Sequence, residues 1–543
     1  MNELCGLFSD VADGTEITFE KNKTYHVCED DSFILKGYFC TNTAKKHENP
    51  DGTRKSAIYL KDKKNITIDG NGAQITVHGK MTPLLFDGCE NVTVKNLCID
   101  YACPTMTEFT VVSNNADECV WEFNADCLFR VENGKLYFHG EIGKDGTPYW
   151  EDEPHVRGRY VKLYNPETQT CRDFSREDLE VDSAEQIDAH SVRVMLKNKD
   201  ADLPAGSVIQ NRNITRDQTG SLFQRCKNLR FENLRVKFMH GLGMVSQFCE
   251  NVTFINCDFT PKKGRTVAST ADFFQFSGCK GNIVIDSCKA HGAHDDYVNV
   301  HGTHLRIVER DKNKFTLRFM HNESWGFQAF EKGDSVDFIK WDTLIPYGSA
   351  TVSNWKKLND TDVLLTLDGD LPEVETGKDV LENATWTPNL YVRNCDFGPT
   401  CGRGILCTTR GEVIIENNRF RNLWGPALLI EDDCNFWFES GYTKEIVFRN
   451  NVVSGCEYAS MWQKSPVIRC TPKVMNENSA EFVHGKLTVT GNVFLLPKEK
   501  EHCFWLEYIR EAEVTENVFD APLVIETKCV GNVRNENNIF NRG

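Results

Sequence analysis

The sequence lacks several features that would point directly to a function. It has 543 residues and a formal net charge of −17, and its basic residues form no long cluster. This charge makes nucleic acid and anionic membranes poor partners. No run of about 18 apolar residues is present to span a membrane. A Walker loop, a dinucleotide-binding fingerprint and a Ser-His-Asp arrangement are also missing. A neutral or weakly charged ligand fits this balance best.

The N-terminus and the cysteines also exclude familiar classes. Met1–Cys5 is not a basic segment leading into an apolar run, so no export signal is visible and a cytoplasmic location is expected. The 22 cysteines are scattered, often within apolar strand patterns, and no close pair recurs at zinc-ligand spacing. We therefore expect buried, reduced thiols rather than disulfides, and neither a metal nor another cofactor.

What the sequence does contain is a degenerate repeat. Short β-branched runs lead into an Asn/Cys-x-Phe step, and the shortest intervals between copies are about 21 to 26 residues. A period in the twenties built from short alternating strands indicates a solenoid. Clear copies are 251–259, 389–397, 413–420, 445–452, 491–494, 516–519 and 537–540, with earlier ones at 65–68 and 91–96.

The repeat favours an all-β protein built as a right-handed parallel β-helix. Alternation would send Val, Ile and Phe inward and Thr, Arg and Lys outward. Asparagine at the corners tolerates the left-handed backbone of a tight bend, and its stacked amides can bond from coil to coil. The Leu-x-x-Leu-x-Leu pattern of a leucine-rich horseshoe is absent. The opening segment around Asp13–Phe19 is expected to cap the first coil, because an open end exposes pairing edges.

Two strand-rich stretches, 107–220 and 305–387, interrupt the period. Both end in a similar sequence, Asp202-Leu203-Pro204 in the first and Asp370-Leu371-Pro372 in the second. We interpret them as two related small β-barrel modules inserted into the helix. The predicted domains are therefore a cap with the first coils (1–106), the first module (107–220), central coils (221–304), the second module (305–387) and C-terminal coils (388–543).

Aspartates recur at one position of two central coils. Asp272–Gly278 and Asp296–Gly302 align through their glycines with an offset of 24 residues. In-register stacking would place Asp272 beside Asp296 at a backbone separation of about 4.8 Å, with Asp295 as a third carboxylate. Repulsion should raise at least one pKa, which gives the acid and base that glycoside hydrolysis needs. Both aspartates share the parity of the inward residues, so they fit only if the strand bends there.

Five further residues are candidates for substrate binding. Gln275, Asn299 and His301 have the parity opposite to the core and should face outward beside the acids, where they would bind sugar hydroxyls. Arg403 would reach the site from a neighbouring coil, and so would Arg265. Glu431 follows the apolar run 428–430 and is a further contact candidate. Asp-Asp pairs at 30–31 and 432–433 show that a pair alone proves little.

Three tryptophans, Trp424, Trp437 and Trp462, are candidate platforms for a sugar face, although packing is the default explanation for each.

The segment from Asp272 to His304 resembles glycoside hydrolase family 110. The likeness covers nearly the whole chain, but only 272–304 is specific. It implies an inverting, exo-acting α-1,3-galactosidase on a β-helix with inserted barrels, with Asp272, Asp295 and Asp296 catalytic. The expected partner is then a galactose-terminated oligosaccharide or glycan, and a homodimer is a further hypothesis. The missing export signal and the many cysteines depart from the family, and the aspartates are also similar to the trio of polygalacturonases.

Several alternatives stay open from the sequence. Carboxylates about 5 Å apart also suit a retaining enzyme, whereas inversion needs roughly 6.5–9.5 Å, and we favour inversion on the resemblance. A polysaccharide lyase on the same helix would need a basic cleft and calcium. A non-catalytic carbohydrate-binding β-helix would not need the stacked aspartates.

Overall fold

The strands stack into the parallel β-helix that the repeat predicts. A computed structural model describes residues 2–115, 118–152, 161–173, 176–459, 464–496 and 500–541. Successive coils contribute strands to three faces, and within each face neighbouring strands pair in parallel and in register. The predicted fold class, an all-β parallel β-helix, is confirmed, and of the two small β-barrel modules predicted as insertions the second forms a closed barrel in the described residues.

Two of the three faces carry the longer strands of the helix. The first face consists of Ile58–Lys61, Leu84–Asp87, Ser221–Gln224, Met244–Gln247, Phe274–Ser277, Val298–Thr303, Ile405–Cys407, Leu428–Ile430 and Lys464–Cys470. The second consists of Glu16–Thr18, Lys64–Asp69, Glu90–Lys95, Lys227–Glu232, Glu250–Ile255, Lys280–Asp286, Asn389–Arg393, Glu412–Glu416, Glu445–Arg449 and His484–Thr490. Two long strands, Glu501–Thr515 and Leu523–Glu536, run through both faces.

The third face consists of Thr24–Cys28, Gln74–His78, Cys98–Tyr101, Arg235–Val236, Asp258–Phe259, Lys289–Ala290, Asp396–Phe397, Arg419–Arg421, Val452–Ser454, Val493–Leu495, Val518–Phe519 and Ile539–Phe540.

The core and the corners follow the sequence pattern. Phe274 pairs with Val298, and the apolar side chains of these inward positions are fully buried. Asn256 and Asn394 adopt left-handed backbone with φ of 52° and 58°, as expected of asparagine at a tight bend. A ladder of asparagines continues through the C-terminal coils, each amide donating to the next. Its members are the buried Asn418, Asn451, Asn492 and Asn517, and it ends at the partly exposed Asn538.

The two inserted stretches fold as separate β modules with cores of their own. The second is a closed six-stranded barrel of Leu305–Asp311, Lys314–Arg318, Ser335–Ile339, Pro346–Lys357, Asp362–Asp368 and Val380–Asn383. The first combines a seven-stranded antiparallel sheet with a three-stranded sheet. Its larger sheet holds Thr107–Asn114, Cys119–Phe123, Val161–Asn165, Thr170–Asp173, Val181–Gln186, Ser191–Leu196 and Val208–Asn211, and its smaller one holds Leu128–Glu132, Lys135–His139 and Glu151–Asp152. The domain limits themselves stay a prediction.

A short helix covers the N-terminal end of the solenoid. Glu3–Leu7 buries Leu4 and Cys5 against the main core, whereas Glu16–Thr18 is already part of the first coil. The remaining elements are the 3-10 turns Glu29–Asp31 and Arg176–Leu179, the hairpin Phe33–Leu35 with Arg54–Ser56, and the short strand Glu439–Ser440. Among the helices of the described ranges, none has the length and apolar character to cross a bilayer.

The cysteines are free thiols with one exception. Cys171 and Cys401 form a disulfide, whereas the other twenty cysteines are unpaired and mostly buried. The expectation of reduced thiols throughout is therefore wrong for this pair. The two residues lie 230 positions apart in the sequence, and they meet only because the first module packs against the coil that carries Cys401. Their separation in the chain gives no local signal of pairing.

Candidate active site

Three charged residues occupy equivalent positions in three successive coils. Phe274 pairs with Val298, and Val298 pairs with Ile405, so the residues two positions before each strand residue also stack. These residues are Asp272, Asp296 and Arg403. They lie in the turns before the strands, outside the alternating part, and the expected parity conflict therefore does not arise.

The structure brings the three predicted aspartates together. Carboxylate oxygens of Asp272, Asp295 and Asp296 all lie within 4.8 Å of one another. The backbone N–H of Asp296 donates to Asp272 Oδ1 at 3.2 Å. Arg403 donates to both oxygens of Asp296, from Nε at 2.5 Å and from Nη2 at 2.9 Å, and Nη2 also donates to Asp295 Oδ1 at 3.0 Å. One guanidinium thus offsets part of the repulsion among three acids.

Burial and mutual repulsion shift the titration of two of these groups. Desolvation, followed by the charges of Asp295 and Asp296, holds the pKa of Asp272 well above its usual range. Desolvation raises the pKa of Asp296 to about 7, with Arg403 opposing the shift and Asp295 adding to it. The cluster therefore retains protons near neutral pH, and its apparent pKa values belong to the group of acids together.

Within the described ranges, the same trio is the one cluster with three candidate metal-ligating groups. Carboxylate oxygens suit hard cations such as Ca²⁺ and Mg²⁺. However, the guanidinium of Arg403 already holds both oxygens of Asp296 and one of Asp295. This arrangement fits an acid–base site better than a cation cage.

The aspartates lie in a pocket that is open to solvent. Six acidic residues and two arginines line it, so its charge suits a neutral ligand better than an anionic one. The lining residues are Asn42, Arg216, Leu242, Asp272, Asp295, Asp296, Asn299, Arg403, Leu406, Glu431, Asp433, Trp437 and Glu439.

Three of the five predicted sugar contacts line this pocket. Asn299 is buried, and within the described part of the chain its Oδ1 has no hydrogen-bond partner, which leaves an acceptor for a ligand hydroxyl. Arg403 lines the pocket while it holds the aspartates. Glu431 also lines it and accepts a hydrogen bond from Lys473 Nζ at 2.7 Å.

Gln275 and His301 do not line the pocket, contrary to the expectation. Both face away from the helix core as predicted, but their exposed fractions are only 0% and 2%. Gln275 Nε2 donates to His301 Nε2 at 2.7 Å, while His301 Nδ1 donates to the Gly302 carbonyl. Glu439 lines the pocket instead, and its Oε1 lies 3.7 Å from His301 Nε2. Parity predicts which way a side chain points, but it cannot show that another segment covers it.

The remaining candidates are Arg265 and the three tryptophans, and of these Trp437 lines the pocket. Arg265 does not reach the site, because it is buried in an ion pair with Glu108 at 2.8 Å beside the first module. Trp437 lines the pocket, whereas Trp424 lies under Lys162 Nζ, 4.8 Å from the ring centroid. Trp462 lies outside the described residues.

Several lining residues carry no signal in the sequence. Asn42 comes from the N-terminal segment, Arg216 from the end of the first module and Glu439 from a late coil. Asn42 Nδ2 donates to Glu439 Oε1 at 2.5 Å although 397 positions separate them. Only the folded chain shows that they share a pocket.

The sequence is similar to those of several α-1,3-galactosidases. The chain is 36% identical over 455 residues to α-1,3-galactosidase A of Akkermansia muciniphila, covering 82% of this chain and 72% of that protein. It is 35% identical over 469 residues to α-1,3-galactosidase A of Bacteroides fragilis, covering 85% and 75%. The family profile "GLAA-B beta-barrel domain II" matches residues 314–381, which lie within the closed barrel.

Among solved structures, the A-module of a mannuronan C-5 epimerase from Azotobacter vinelandii covers 99% of both chains at 9% identity, with a TM-score of 0.39, a likeness too weak to add to the fold description.

The aspartate pocket on a β-helix and these relatives together define the protein as a glycoside hydrolase. More narrowly, the chain belongs to the family of the α-1,3-galactosidases A and B, whose B members include one from Bacteroides thetaiotaomicron that is 31% identical over 474 residues.

Proposed function

We propose that the protein is an exo-acting α-1,3-galactosidase of glycoside hydrolase family 110 that removes terminal α-1,3-linked galactose with inversion. The observation that carries the proposal is the aspartate cluster, with three carboxylates within 4.8 Å at the base of a pocket. The names of the relatives support the linkage, and the resemblance of residues 272–304 supports the family.

Asp272 is the proposed general acid. Its raised pKa keeps it protonated near neutral pH, and it lines the pocket, where it can donate that proton to the glycosidic oxygen. Asp295 is the proposed base for the attacking water, because its side chain is 36% exposed and Arg403 holds only one of its oxygens. Asp296, held through both oxygens by Arg403, orients the pair.

The shape of the pocket supports action at a chain end. Its floor is buried, with Asp296 at 0% and Asn299 at 4% exposure, while Trp437 at the mouth is 47% exposed. A closed floor accepts one terminal sugar, whereas an internal cut needs a groove open at both ends. Six acids against two arginines also disfavour the acidic sugars of a lyase, which would need a basic cleft.

Inversion is supported by the resemblance rather than by the distances. Inverting enzymes separate their carboxyls by roughly 6.5–9.5 Å, whereas retaining enzymes separate them by about 5–5.5 Å. The nearest carboxylate oxygens lie within 4.8 Å of one another, and this distance alone would favour a retaining mechanism. The stereochemistry of the product decides between the two mechanisms.

The test is hydrolysis of Galα1,3Gal beside other α- and β-galactosides, with NMR of the anomer first released. We expect turnover of the α-1,3 disaccharide and release of β-galactose. Release of α-galactose would refute inversion, and turnover of another linkage alone would refute the substrate.

Substitutions test the proposed roles. Asp272→Asn and Asp295→Asn should each lower kcat by about 10²–10⁴-fold, because each removes a proton-transfer group. Asp30→Asn is the matched control, because Asp30 also belongs to an Asp-Asp pair but accepts a hydrogen bond from Tyr149 and does not line the pocket. If the two site variants kept wild-type turnover, the catalytic roles of Asp272 and Asp295 would be refuted. If the wild-type protein bound the glycan without cleaving it, a carbohydrate-binding β-helix would replace the enzyme.

A further inference from the structure

We propose that Trp437 and His321 form a platform for the leaving-group sugar, the unit to which the terminal galactose is attached. The second module, which carries His321, would thereby set the specificity for that sugar. This inference rests on the proposed function, because it assigns the mouth of the same pocket. The ligand group is the apolar C–H face of a pyranose, which packs well against an aromatic ring.

The platform joins two separate parts of the fold. Trp437 belongs to a loop of the helix, after the strand Leu428–Ile430. His321 follows the barrel strand Lys314–Arg318. Their ring centroids lie 4.3 Å apart with an interplanar angle of 34°. The histidine therefore covers one side of the indole, and the indole remains 47% exposed.

Contacts with the rest of the chain hold the barrel segment that carries His321. Glu323 pairs with Arg216 Nη2 at 2.8 Å. Ser324 Oγ donates to Asn42 Oδ1 at 2.7 Å, and Trp325 Nε1 donates to the Ala44 carbonyl at 3.1 Å. These contacts follow His321 directly in the sequence, so the ring is presented by a fixed segment.

The Trp437 loop is fixed in its own way. The buried carboxylate of Asp433 accepts hydrogen bonds from the backbone N–H groups of Asn435, Phe436 and Trp437. This turn holds two adjacent aromatic residues at the surface, but only Trp437 lines the pocket. A pre-organised aromatic side chain binds a ligand with little loss of conformational entropy.

Depth in the pocket assigns the platform to the leaving-group sugar. The proposed acid Asp272 is only 4% exposed, so the glycosidic oxygen that it protonates lies near the floor. A galactose bound beyond that oxygen fills the floor, and the next sugar then lies at the mouth. Trp437 is the aromatic residue that lines this mouth.

The experiment compares two substrates that differ only in the leaving group. The leaving group of Galα1,3Gal is a sugar, whereas that of α-galactosyl fluoride is a fluoride ion. For Trp437→Ala we expect kcat/KM to fall about tenfold for the disaccharide, equivalent to about 1.4 kcal/mol, and to stay near wild type for the fluoride. Trp437→Phe should restore part of the loss, and His321→Ala should cause a smaller loss on the disaccharide alone.

Phe436→Ala is the matched control, because Phe436 is 57% exposed on the same loop and does not line the pocket. Equal losses on both substrates would place Trp437 on the terminal galactose and overturn the inference. Unchanged kcat/KM on both would also overturn it. Wild-type protein that cleaves neither substrate would instead refute the proposed function.

Discussion

At the scale of single residues, Arg403 sets the charge balance of the site. Its guanidinium holds both oxygens of Asp296 and opposes the rise in pKa that burial causes at Asp272 and Asp296. A protonated acid is present below its pKa and is lost as the pH rises through it. We therefore expect kcat/KM of the wild-type protein to fall on the alkaline side as Asp272, the proposed general acid, loses its proton, with an apparent pKa well above the usual value of an aspartate.

Removing the positive charge of Arg403 should move the alkaline limb of the pH profile in a defined direction. Arg403→Leu takes away a positive charge that opposes the raised pKa of Asp272, so the alkaline limb should move to higher pH even though the rate itself falls. Arg403→Lys keeps a positive charge and is the control that should move the limb less. The pH dependence of kcat/KM for the three proteins is the measurement. A limb that moves to lower pH in Arg403→Leu would contradict the assignment.

Only part of this site is predictable from the residues. The shared glycine spacing aligned Asp272 with Asp296 correctly, because register between adjacent coils is a local property. The same reasoning placed Gln275 and His301 on the outward side, but it could not show that other segments cover them. Asn42 had no signal, because it meets the pocket only through the folded N-terminal segment.

At the scale of structural elements, the disulfide between Cys171 and Cys401 links the first module to the active-site coil. Cys401 is followed by Gly402 and Arg403, and a Cβ at Gly402 would lie 2.0 Å from the Asp295 carbonyl oxygen. The segment therefore runs in close contact with the backbone of one catalytic candidate. The disulfide connects the packing of the module to the position of Arg403.

We expect the disulfide to stabilise the protein measurably. Cys171→Ser should lower the free energy of unfolding by about 2–4 kcal/mol, and a reductant should have the same effect on the wild type but none on the variant. Peptide mapping without reductant, combined with thermal unfolding, measures both. Cys529→Ser is the control, because Cys529 is a partly exposed free thiol. Recovery of Cys171 and Cys401 as alkylated thiols from the native protein would contradict the prediction.

The inserted modules show what a strand pattern can and cannot predict. Their shared Asp-Leu-Pro ending indicated two insertions of one kind, and both stretches do fold as β modules with separate cores. The closure of the second into a six-stranded barrel depends on pairing between its first and last strands, Leu305–Asp311 and Val380–Asn383. Such long-range pairing leaves no mark in local alternation.

At the scale of the whole molecule, the solenoid was predictable because each coil repeats the same local sequence pattern. Inward Val, Ile and Phe, an asparagine at the bend and a period of about 21 to 26 residues suffice to define the coil. The pocket was less predictable because it assembles residues from coils and loops as distant as Asn42 and Glu439. Repetition specifies the scaffold, and the interruptions of the repeat build much of the site.

The buried asparagine ladder should carry much of the stability of the C-terminal coils. Asn492 Nδ2 donates to the Phe448 carbonyl at 2.9 Å and to Asn517 Oδ1 at 2.9 Å, while its Oδ1 accepts from the backbone N–H of Asn451 at 2.8 Å. Asn492→Ala would leave these buried groups without partners, at a cost of about 1–3 kcal/mol for each unsatisfied group. Because each coil contacts only its neighbours, the loss should appear first as unfolding of the C-terminal coils.

Hydrogen exchange and denaturant unfolding measure this effect. Asn492→Ala should lower the unfolding midpoint and speed exchange in residues 445–536 before it affects the central coils. Asn282→Ala is the control, because the exposed Asn282 side chain accepts a hydrogen bond from Asn389 at the surface and its loss should cost at most about 0.5 kcal/mol. Equal midpoints for the two variants would mean that the interior ladder contributes no more than a surface hydrogen bond, and the C-terminal coils would then depend on their apolar stacks alone.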